Sequence, residues 1–389
     1  MASALVIEKG ELYDPERRGV QDLLCVQGQV VSVGKNFEVD AIRKLEIEYE
    51  VIDAEGCYVF PGLVDPHQHL IGGSGEKGFS SQTPEVILLE EIEAGVTTIV
   101  GCLGVDTYTR NLPALLAKVK AFNEEGLSAF LYSGGYEVPP VTLTGSLRTD
   151  LILIPEVIGA GEIAVSDLRA SQASLSDLAR VVADAYVGGI LSGKSGVTHF
   201  HVGPAPSGLS PIETLLTDFD VRPQSLYPTH VHRSEGTLRS AIALSRKGVF
   251  CDLDTEEQDL ALWIERIVRE EGDLDQFTVS SDTSFNSPST LFSQLETILN
   301  AKLLPLERAL ALFTRNPARA LGLSKKGQLG RGNDADLLIV EKEGFRIREV
   351  VSKGRVMMRS GRVTHEPRAL ANSNRKVELY GQKKGFALR

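Results

Sequence analysis

The sequence predicts an α/β protein with two parts: a (β/α)8 TIM barrel over residues 58–329 and a small β-sandwich domain formed by residues 1–57 and 330–389. Three observations predict this fold. Apolar strand-like runs alternate with helical patterns across the central part of the 389-residue chain. Several helical runs end in Gly, as helix C-termini do. The length of the central part matches the ~250 residues of a TIM barrel.

The expected barrel strands are short apolar runs, and most of them are separated by runs with a helical period, such as LPALLAKVKAFNEEG. The strands are predicted at 58–70, 97–103, 128–134, 162–167, 197–203, 225–231, 249–254 and 277–282. The alternative fold is an open doubly wound sheet, which would need a Gly-rich phosphate loop after the first strand. The first strand here ends in His67-Gln68-His69 instead.

The small domain is expected because both ends of the chain are rich in β-type runs broken by Gly and Asp. ALVIEKGELYD and DLLCVQGQVVSVG lie near the start, and ADLLIVEKEGFRIREVVSKGRVMMRSGRV lies near the end. Neither segment alone offers enough strands for a stable sandwich. We therefore expect the two segments to form one discontinuous domain.

Composition and charge narrow the class of protein. The net charge is −11, from 52 acidic and 41 basic residues, so a basic surface for nucleic acid is not expected. Four cysteines are scattered without a CxxC pair, which predicts reduced thiols. No run approaches the ~18 apolar residues of a membrane span, and the start lacks signal-peptide features. We expect no nucleic-acid or membrane partner and a cytoplasmic location.

The end of the first barrel strand carries a histidine pair. His67 and His69 are two residues apart, so their side chains point to the same face of the strand. In a barrel that face is the lumen, and active sites lie at the C-terminal ends of the strands. Paired imidazoles in such a confined place are good ligands for zinc or a similar metal.

Other strand ends add candidate ligands. The fifth strand offers His201, the sixth offers His230 and the eighth offers Asp282, while Glu162 stands at the start of the predicted fourth strand. The alternatives are that His199 is a hydrogen-bonded lumen histidine, that His232 belongs to a loop, and that Asp282 is a helix N-cap. We favour a metal site because a cap does not explain four strand-end histidines beside one carboxylate.

These six ligands predict two divalent metals bridged by one carboxylate. A bound metal lowers the pKa of its water to about 7, so that hydroxide is available at neutral pH. Asp282 is expected to take the proton from the attacking hydroxide and pass it to the leaving amine. The sequence therefore predicts a metal-dependent hydrolase of small C–N substrates.

The chain resembles the amidohydrolase superfamily and, more closely, its isoaspartyl dipeptidases. The resemblance rests on PGLVDPHQHL, LIGGSGEKG, EAGVTTIVG, SGKSGVT, PTHVHR, SSD and GNDADLL, which are spread over almost the whole chain. Members of that family cleave β-aspartyl dipeptides, whose peptide bond runs through the aspartate side chain. The resemblance implies two zinc ions and a homo-oligomer. Co or Mn would also suit histidine and carboxylate ligands.

The resemblance also implies roles for single residues. The family's four histidines and its aspartate fall on the five residues already chosen from the strand ends. Glu76 corresponds to the residue that holds the substrate's amino group, and Tyr136 to the residue that polarises the scissile carbonyl. Arg169 and Arg233 correspond to the arginines that bind substrate carboxylate, a role suited to the guanidinium group.

The chain departs from the family at three places. Glu162 stands where the family has a carboxylated lysine, but it offers the same pair of oxygens and one negative charge. Val105 replaces a hydroxyl residue near the substrate, and the segment after Asp282, TSFNSPSTLFSQL, is short. These departures leave two alternatives open: another amidohydrolase activity, such as a cyclic amidase or an N-acyl amino acid deacylase, or a binding protein that has lost catalysis.

Overall fold

The structure is a computed structural model that describes residues 4–35, 37, 47–255, 259–371 and 373–374. Within these residues it has the two predicted parts, a barrel and a small β domain. Some of the predicted small domain, namely 1–3, 36, 38–46, 372 and 375–389, lies outside the described residues.

The N-terminal segment supplies the first strands of the small domain: β1 (Ala4–Asp14), β2 (Glu16–Val26), β3 (Gln29–Gly34), β4 (Tyr49–Asp53) and β5 (Cys57–Pro61). The long strand β1 organises them, because it is antiparallel to β2 and parallel to both β4 and β5. Residues Ala4 to Glu8 of β1 pair with β4, whereas Glu11 and Leu12 pair with β5. The sheet therefore divides into two arms at β1.

In the described chain the barrel has eight strands: β6 (Leu63–Gln68), β7 (Val96–Gly101), β8 (Ser128–Ser133), β9 (Val157–Val165), β10 (Val197–Val202), β11 (Leu226–Thr229), β12 (Cys251–Asp254) and β13 (Phe277–Ser280). Strands β6 to β11 form one parallel sheet in sequence order, and β12 pairs with β13. Two junctions complete the ring. Val231 N donates to Asp252 O at 3.3 Å, and Asp282 N donates to His67 O at 3.1 Å.

Helices follow most barrel strands and cover the outside of the barrel. The described residues form α1 (Leu88–Ala94), α2 (Leu112–Glu125), α3 (Leu147–Leu153), α4 (Leu175–Ser192), α5 (Ser210–Asp218), α6 (Glu235–Ser245), α7 (Leu260–Arg269), α8 (Thr290–Asn300), α9 (Leu306–Phe313), α10 (Arg315–Ala320) and α11 (Arg368–Ala371). Helices α3, α5, α8 and α11 lie outside the runs that the sequence pattern predicts to be helical. Of the helices described, none is both long and apolar enough to cross a lipid bilayer.

The C-terminal segment returns to the small domain as β14 (Leu337–Glu341), β15 (Arg346–Ser352), β16 (Arg355–Arg359) and β17 (Arg362–Val363). Strand β14 pairs antiparallel with β5 and with β15, so these strands extend one arm of the sheet. Leu23 and Val30 from the other arm share an apolar core with Ile339 and Val351. The two arms therefore face each other, as expected for a small sandwich built from both chain ends.

The first predicted barrel strand, 58–70, divides at Gly62. Cys57–Pro61 belongs to the small sheet, and the barrel strand begins at Leu63. A Cβ added to Gly62 would lie 2.2 Å from Thr97 Oγ1, so glycine allows the close crossing from one domain to the other. We propose that the domain boundary lies at Gly62 rather than between 57 and 58; the second boundary, between 329 and 330, stays a prediction.

The prediction that the fourth strand begins at Glu162 is wrong. Strand β9 runs from Val157 to Val165, so Glu162 lies within it. The first half of β9 could not be recognised from the sequence because Gly159 and Gly161 have low β propensity. A Cβ on Gly159 would lie 2.4 Å from Val197 O, and one on Gly161 would lie 2.8 Å from His199 Cβ. The close approach of β9 to β10 therefore requires glycine at both positions.

Strand β10 shows how the barrel delivers polar side chains to its lumen. All its residues are buried. Phe200 and Val202 belong to the apolar core that includes the helices. His199 and His201 alternate with them, and therefore point to the opposite face, the lumen. The pleat of a strand with apolar residues on its outer face thus brings imidazoles to the interior.

A buried group of charges around Lys326 joins the two domains. Lys326 Nζ donates to Asp336 Oδ2 and to Ser128 Oγ, both at 2.6 Å, and lies 2.7 Å from Asp334 Oδ2. Ser128 begins β8 of the barrel, and Asp336 directly precedes β14 of the small domain. Burial lowers the pKa of Lys326, but the charges of Asp336 and Asp334 outweigh it and raise the pKa. The lysine therefore remains a cation between the domains.

Lys326→Ala is expected to destabilise the protein by about 3–5 kcal/mol, because it leaves the buried Asp336 carboxylate without its cation. Urea titration followed by circular dichroism measures the change in the free energy of unfolding. Lys325→Ala is the matched control, since Lys325 is exposed, and it should change stability by less than about 0.5 kcal/mol. Equal stabilities of the two variants would contradict this role of Lys326.

Candidate active site

The structure brings the six predicted metal ligands together at the C-terminal end of the barrel strands. They are His67 and His69 at the end of β6, Glu162 in β9, His201 in β10, His230 after β11 and Asp282 after β13, and all are buried. His230 has a φ of 61° and Asp282 a φ of 47°. Such left-handed backbone costs a non-glycine residue on the order of 1–3 kcal/mol and is concentrated at functional sites.

One group of ligands forms around His67 and His69. His67 Nε2 lies 3.4 Å from Asp282 Oδ1 and 3.5 Å from Glu162 Oε2. His69 Nε2 lies 3.3 Å and 3.7 Å from the same two oxygens. Ligands about 2.0–2.1 Å from a tetrahedral metal lie about 3.3–3.4 Å apart. The spacing of this group therefore fits a divalent cation.

Unsatisfied polar atoms support the same fit. His67 Nε2, Glu162 Oε2 and Asp282 Oδ1 are buried, and none of them has a hydrogen-bond partner in the described part of the chain. Buried polar atoms without partners are rare and costly. Their convergence on one point indicates a site for a cation that would satisfy all three.

The second oxygen of Glu162 faces a different pair of histidines. Glu162 Oε1 lies 2.8 Å from His201 Nδ1 and 3.5 Å from His230 Nε2. Asp282 Oδ2 lies 3.8 Å from His230 Nε2. The Glu162 carboxylate therefore stands between two histidine pairs and can contact both.

The surrounding histidines keep the two carboxyl groups ionised. Burial opposes ionisation of Glu162, but the charges of His67 and His201 hold its pKa well below the usual range. Burial opposes ionisation of Asp282 too, but His67 and His69 lower its pKa. Both side chains are therefore anions at neutral pH, which is the form that binds metals.

Two aspartates that the sequence analysis did not single out hold the histidines from behind. Asp254 Oδ2 lies 2.6 Å from His230 Nδ1, and Asp167 Oδ2 lies 3.0 Å from His201 Nε2. A carboxylate on the second nitrogen of a metal-binding histidine fixes the orientation of the ring. Asp254 is the last residue of β12 and Asp167 follows β9 closely, so the strand-end criterion used for the ligands would have found both.

Arg169 links the predicted substrate-binding residues at the barrel mouth. It donates to Glu76 Oε1 at 2.6 Å and to both oxygens of Asp167 at 2.9 and 2.7 Å. The side chains of Arg169 and Glu76 are 32% and 44% exposed, so they lie between the buried ligands and solvent. An anion and a cation thus stand side by side at the entrance.

Tyr136 and Arg233 lie deeper, against His201. The hydroxyl of Tyr136 is 2.8 Å from His201 Nδ1, and Arg233 NH1 is 3.4 Å from His201 Nε2 while it donates to Val202 O. Burial raises the pKa of Tyr136 well above its usual value, so its phenol stays protonated. It can therefore donate a hydrogen bond next to the metal ligands.

The two other departures from the family border the site. Val105 is half-buried and follows Gly104, where an added Cβ would lie 3.1 Å from His69 Cε1. The short segment after Asp282 begins with Thr283, whose carbonyl accepts a hydrogen bond from His69 N at 3.0 Å. Phe285, in the same segment, is 67% exposed. Both segments therefore contribute to the walls of the entrance.

The two histidines that the sequence analysis did not choose as metal ligands, His199 and His232, are also buried. His232 lies 5.9 Å, ring to ring, from Trp263. His199 occupies the lumen and stacks on Tyr132 with ring centres 4.9 Å apart. Neither of its nitrogens has a hydrogen-bond partner within the described residues, so the expectation that His199 is hydrogen-bonded stays a prediction.

Comparison with known proteins supports the same assignment. A model of the amidohydrolase family matches residues 50–112 and 278–365. The crystal structure of β-aspartyl dipeptidase from Fervidobacterium islandicum AW-1 is 39% identical, with a TM-score of 0.88, over 93% of this chain and 98% of that one. The same enzyme in complex with a β-Asp-Leu dipeptide is 38% identical, with a TM-score of 0.87, over 93% and 99%.

Curated relatives match over shorter stretches. D-hydantoinase of Geobacillus stearothermophilus is 41% identical over 83 residues, which is 20% of this chain and 15% of that protein. Dihydroorotase of Acetivibrio thermocellus is 26% identical over 166 residues, which is 42% of this chain and 35% of that protein. The chain thus spans about a third or less of the length of these curated relatives. Because the likeness to the solved dipeptidase extends over nearly its full length, the chain belongs to the β-aspartyl dipeptidase family of amidohydrolases.

Proposed function

We propose that the chain is a metal-dependent hydrolase that cleaves the isopeptide bond of β-aspartyl dipeptides. The observation that carries the proposal is the position of Glu162, whose two oxygens face two different histidine pairs beside Asp282. A solved relative of this family binds β-Asp-Leu, which supports the choice of substrate.

Two zinc ions per chain are proposed. His67, His69, Glu162 and Asp282 would hold one, and His201 and His230 would share Glu162 to hold the other; Co or Mn would suit the same donors. When bound, such metals supply a water that is nucleophilic at neutral pH and polarise the scissile carbonyl. The homo-oligomer expected from the resemblance stays a prediction.

Asp282 is the proposed proton carrier. The neighbouring histidines lower its pKa, so it is deprotonated at neutral pH and one of its oxygens would be available to the proton of the water that attacks the carbonyl carbon. When the C–N bond breaks, the same carboxyl can return this proton to the leaving amino group. Tyr136 would donate its phenol hydrogen to the oxyanion that develops on the carbonyl oxygen.

The paired charges of Glu76 and Arg169 suit a zwitterionic head group. The aspartyl residue of a β-aspartyl dipeptide has a free α-amino and a free α-carboxylate group on one carbon. Glu76 would bind the ammonium, while Arg169, with Arg233, would bind carboxylate. Binding would thus replace the 2.6 Å Glu76–Arg169 contact by one contact of Glu76 with the substrate ammonium and one of Arg169 with the substrate carboxylate. A substrate without a free amine would leave Glu76 unpaired.

A substrate panel tests the proposal: β-Asp-Leu, α-Asp-Leu, N-acetyl-leucine and a hydantoin, each with metal content measured. Only β-Asp-Leu is expected to be hydrolysed well. Glu76→Gln should raise KM for β-Asp-Leu roughly 10-fold or more, since a hydrogen bond to a charged group contributes about 1.5–3 kcal/mol. Glu85→Gln, a carboxylate of the same segment that pairs with the distant Lys118, is the control. Preferred hydrolysis of the hydantoin or the N-acyl amino acid would contradict the proposed substrate.

Asp282→Asn is expected to lower kcat on β-Asp-Leu by about 10²–10⁴-fold, because the amide cannot accept the proton. The melting temperature and the metal content of the variant show whether the fold and the metal site survive. Asp220→Asn, at an exposed position, should leave kcat unchanged. A metal-loaded Asp282→Asn enzyme with near-normal turnover would exclude Asp282 as the proton carrier.

A further inference from the structure

Each histidine of the proposed metal site has one ring nitrogen that would face the metal and one that would not. In three of the four, a neighbouring side chain contacts the nitrogen that would not face the metal. Asp254 lies 2.6 Å from His230 Nδ1, Asp167 lies 3.0 Å from His201 Nε2, and Cys102 Sγ lies 3.7 Å from His69 Nδ1. His67 differs, because its Nδ1 has no partner among the residues that the structure describes. A ring that binds metal through Nε2 needs an acceptor at Nδ1 to fix its tautomer and orientation.

His199 lies directly against His67. The two rings are 4.7 Å apart, centre to centre, and are inclined at 64°. His199 is fully buried, and both its nitrogens lack partners within the described residues. Its ring is held by stacking on Tyr132 and by an edge contact with Tyr227 at 5.2 Å. A second buried polar side chain without partners thus lies beside the first.

Asp252, in strand β12, is the third buried polar side chain beside His67 and His199. It accepts hydrogen bonds from Thr278 at 2.5 Å, from Ser280 at 2.6 Å and from Thr229 at 2.7 Å. The Tyr227 hydroxyl also lies 3.4 Å from this carboxylate. It is only 2.7 Å from Thr278 Oγ1, whose own hydrogen goes to Asp252, so the Tyr227 hydrogen goes to Thr278. A carboxylate can accept about four hydrogen bonds, so roughly one remains available. The position of Asp252 is therefore fixed by the strands, and it has capacity for one further donor.

The spacing of the three side chains suits a single water. One ring nitrogen from each of His67 and His199 and one oxygen of Asp252 lie within 4.8 Å of one another. Three atoms no more than 4.8 Å apart always leave a point within about 2.8 Å of all three, and this is the length of a hydrogen bond. Buried waters typically make about three hydrogen bonds to polar groups that otherwise lack partners.

We propose that an internal water bridges His67, His199 and Asp252, and that His199 is thereby a positioning residue for the metal ligand His67. The inference rests on the proposed metal site. The water would accept from His67 Nδ1–H and donate to Asp252 and to the unprotonated nitrogen of His199. Without His199 the water would lose one of its three contacts, and His67 would be held less firmly.

His199→Phe tests the role of the ring nitrogens, because phenylalanine keeps the aromatic packing on Tyr132. The affinity of the apoprotein for Zn²⁺, measured by competition with a chromophoric chelator, is expected to fall about 10- to 100-fold. The melting temperature of the apoprotein should not fall. His199→Gln, whose side-chain amide can contact the same water, should restore part of the affinity.

Thr198→Val is the matched control. Thr198 adjoins His199 in β10, points to the opposite face, and is also buried with a hydroxyl that lacks a partner in the described chain. This variant should bind zinc like the wild type. If the wild type binds zinc and His199→Phe binds it equally well, the inference fails while the proposed function survives; if the wild type binds no zinc, the proposed function itself fails.

A high-resolution crystal structure of the zinc-loaded wild type tests the water directly and does not depend on the folding of a variant. Density for one water within about 2.6–3.2 Å of all three side chains is the expected result. A direct contact of His67 with His199, a metal in this position, or a trio without a shared water would overturn the proposal.

Discussion

The buried carboxylate of Glu162 is the group on which the rest of the site depends. One of its oxygens faces His67 and His69, and the other faces His201 and His230. A buried anion costs several kcal/mol unless positive charge compensates it. Cations held between these side chains would provide that charge, and Asp282 adds a second anion to one side. Because glutamate supplies the same pair of oxygens as a carboxylated lysine, its shorter side chain would suit the proposed two-cation site.

The barrel makes this arrangement possible because it brings distant strands to one place. Asp282 N donates to His67 O across the junction that closes the ring, so the first and last barrel strands deliver ligands side by side. Gly159 and Gly161 let β9 approach β10 closely, which places Glu162 next to His201. The Asp254 and Asp167 carboxylates then hold the rings of His230 and His201 from behind. The proposed metal ligands lie in the barrel strands or directly after them, whereas the mouth residues Glu76 and Arg169 come from the loops after two of these strands.

Much of this could be predicted from the sequence, and the limits have physical causes. The alternation of side chains along a strand and the position of a strand end are local properties. Together with the predicted barrel, they indicated His67, His69, His201, His230 and Asp282. The predicted start of β9 was wrong because its glycines have low β propensity. They are required there by close contact with a neighbouring strand, which the local sequence does not show. The Glu76–Arg169 contact joins residues 93 positions apart, and no local pattern reveals such a pair; resemblance to a family suggested the two residues, but not their contact.

The most direct test of the account is a crystal of the protein soaked in zinc, with anomalous scattering recorded at the zinc absorption edge. We expect two peaks, one in contact with His67, His69 and Glu162 Oε2, and the other with His201, His230 and Glu162 Oε1. A single peak would contradict the bridging role of Glu162. If no peak formed near these side chains at saturating zinc, the hydrolytic account would be wrong, although the fold would stand.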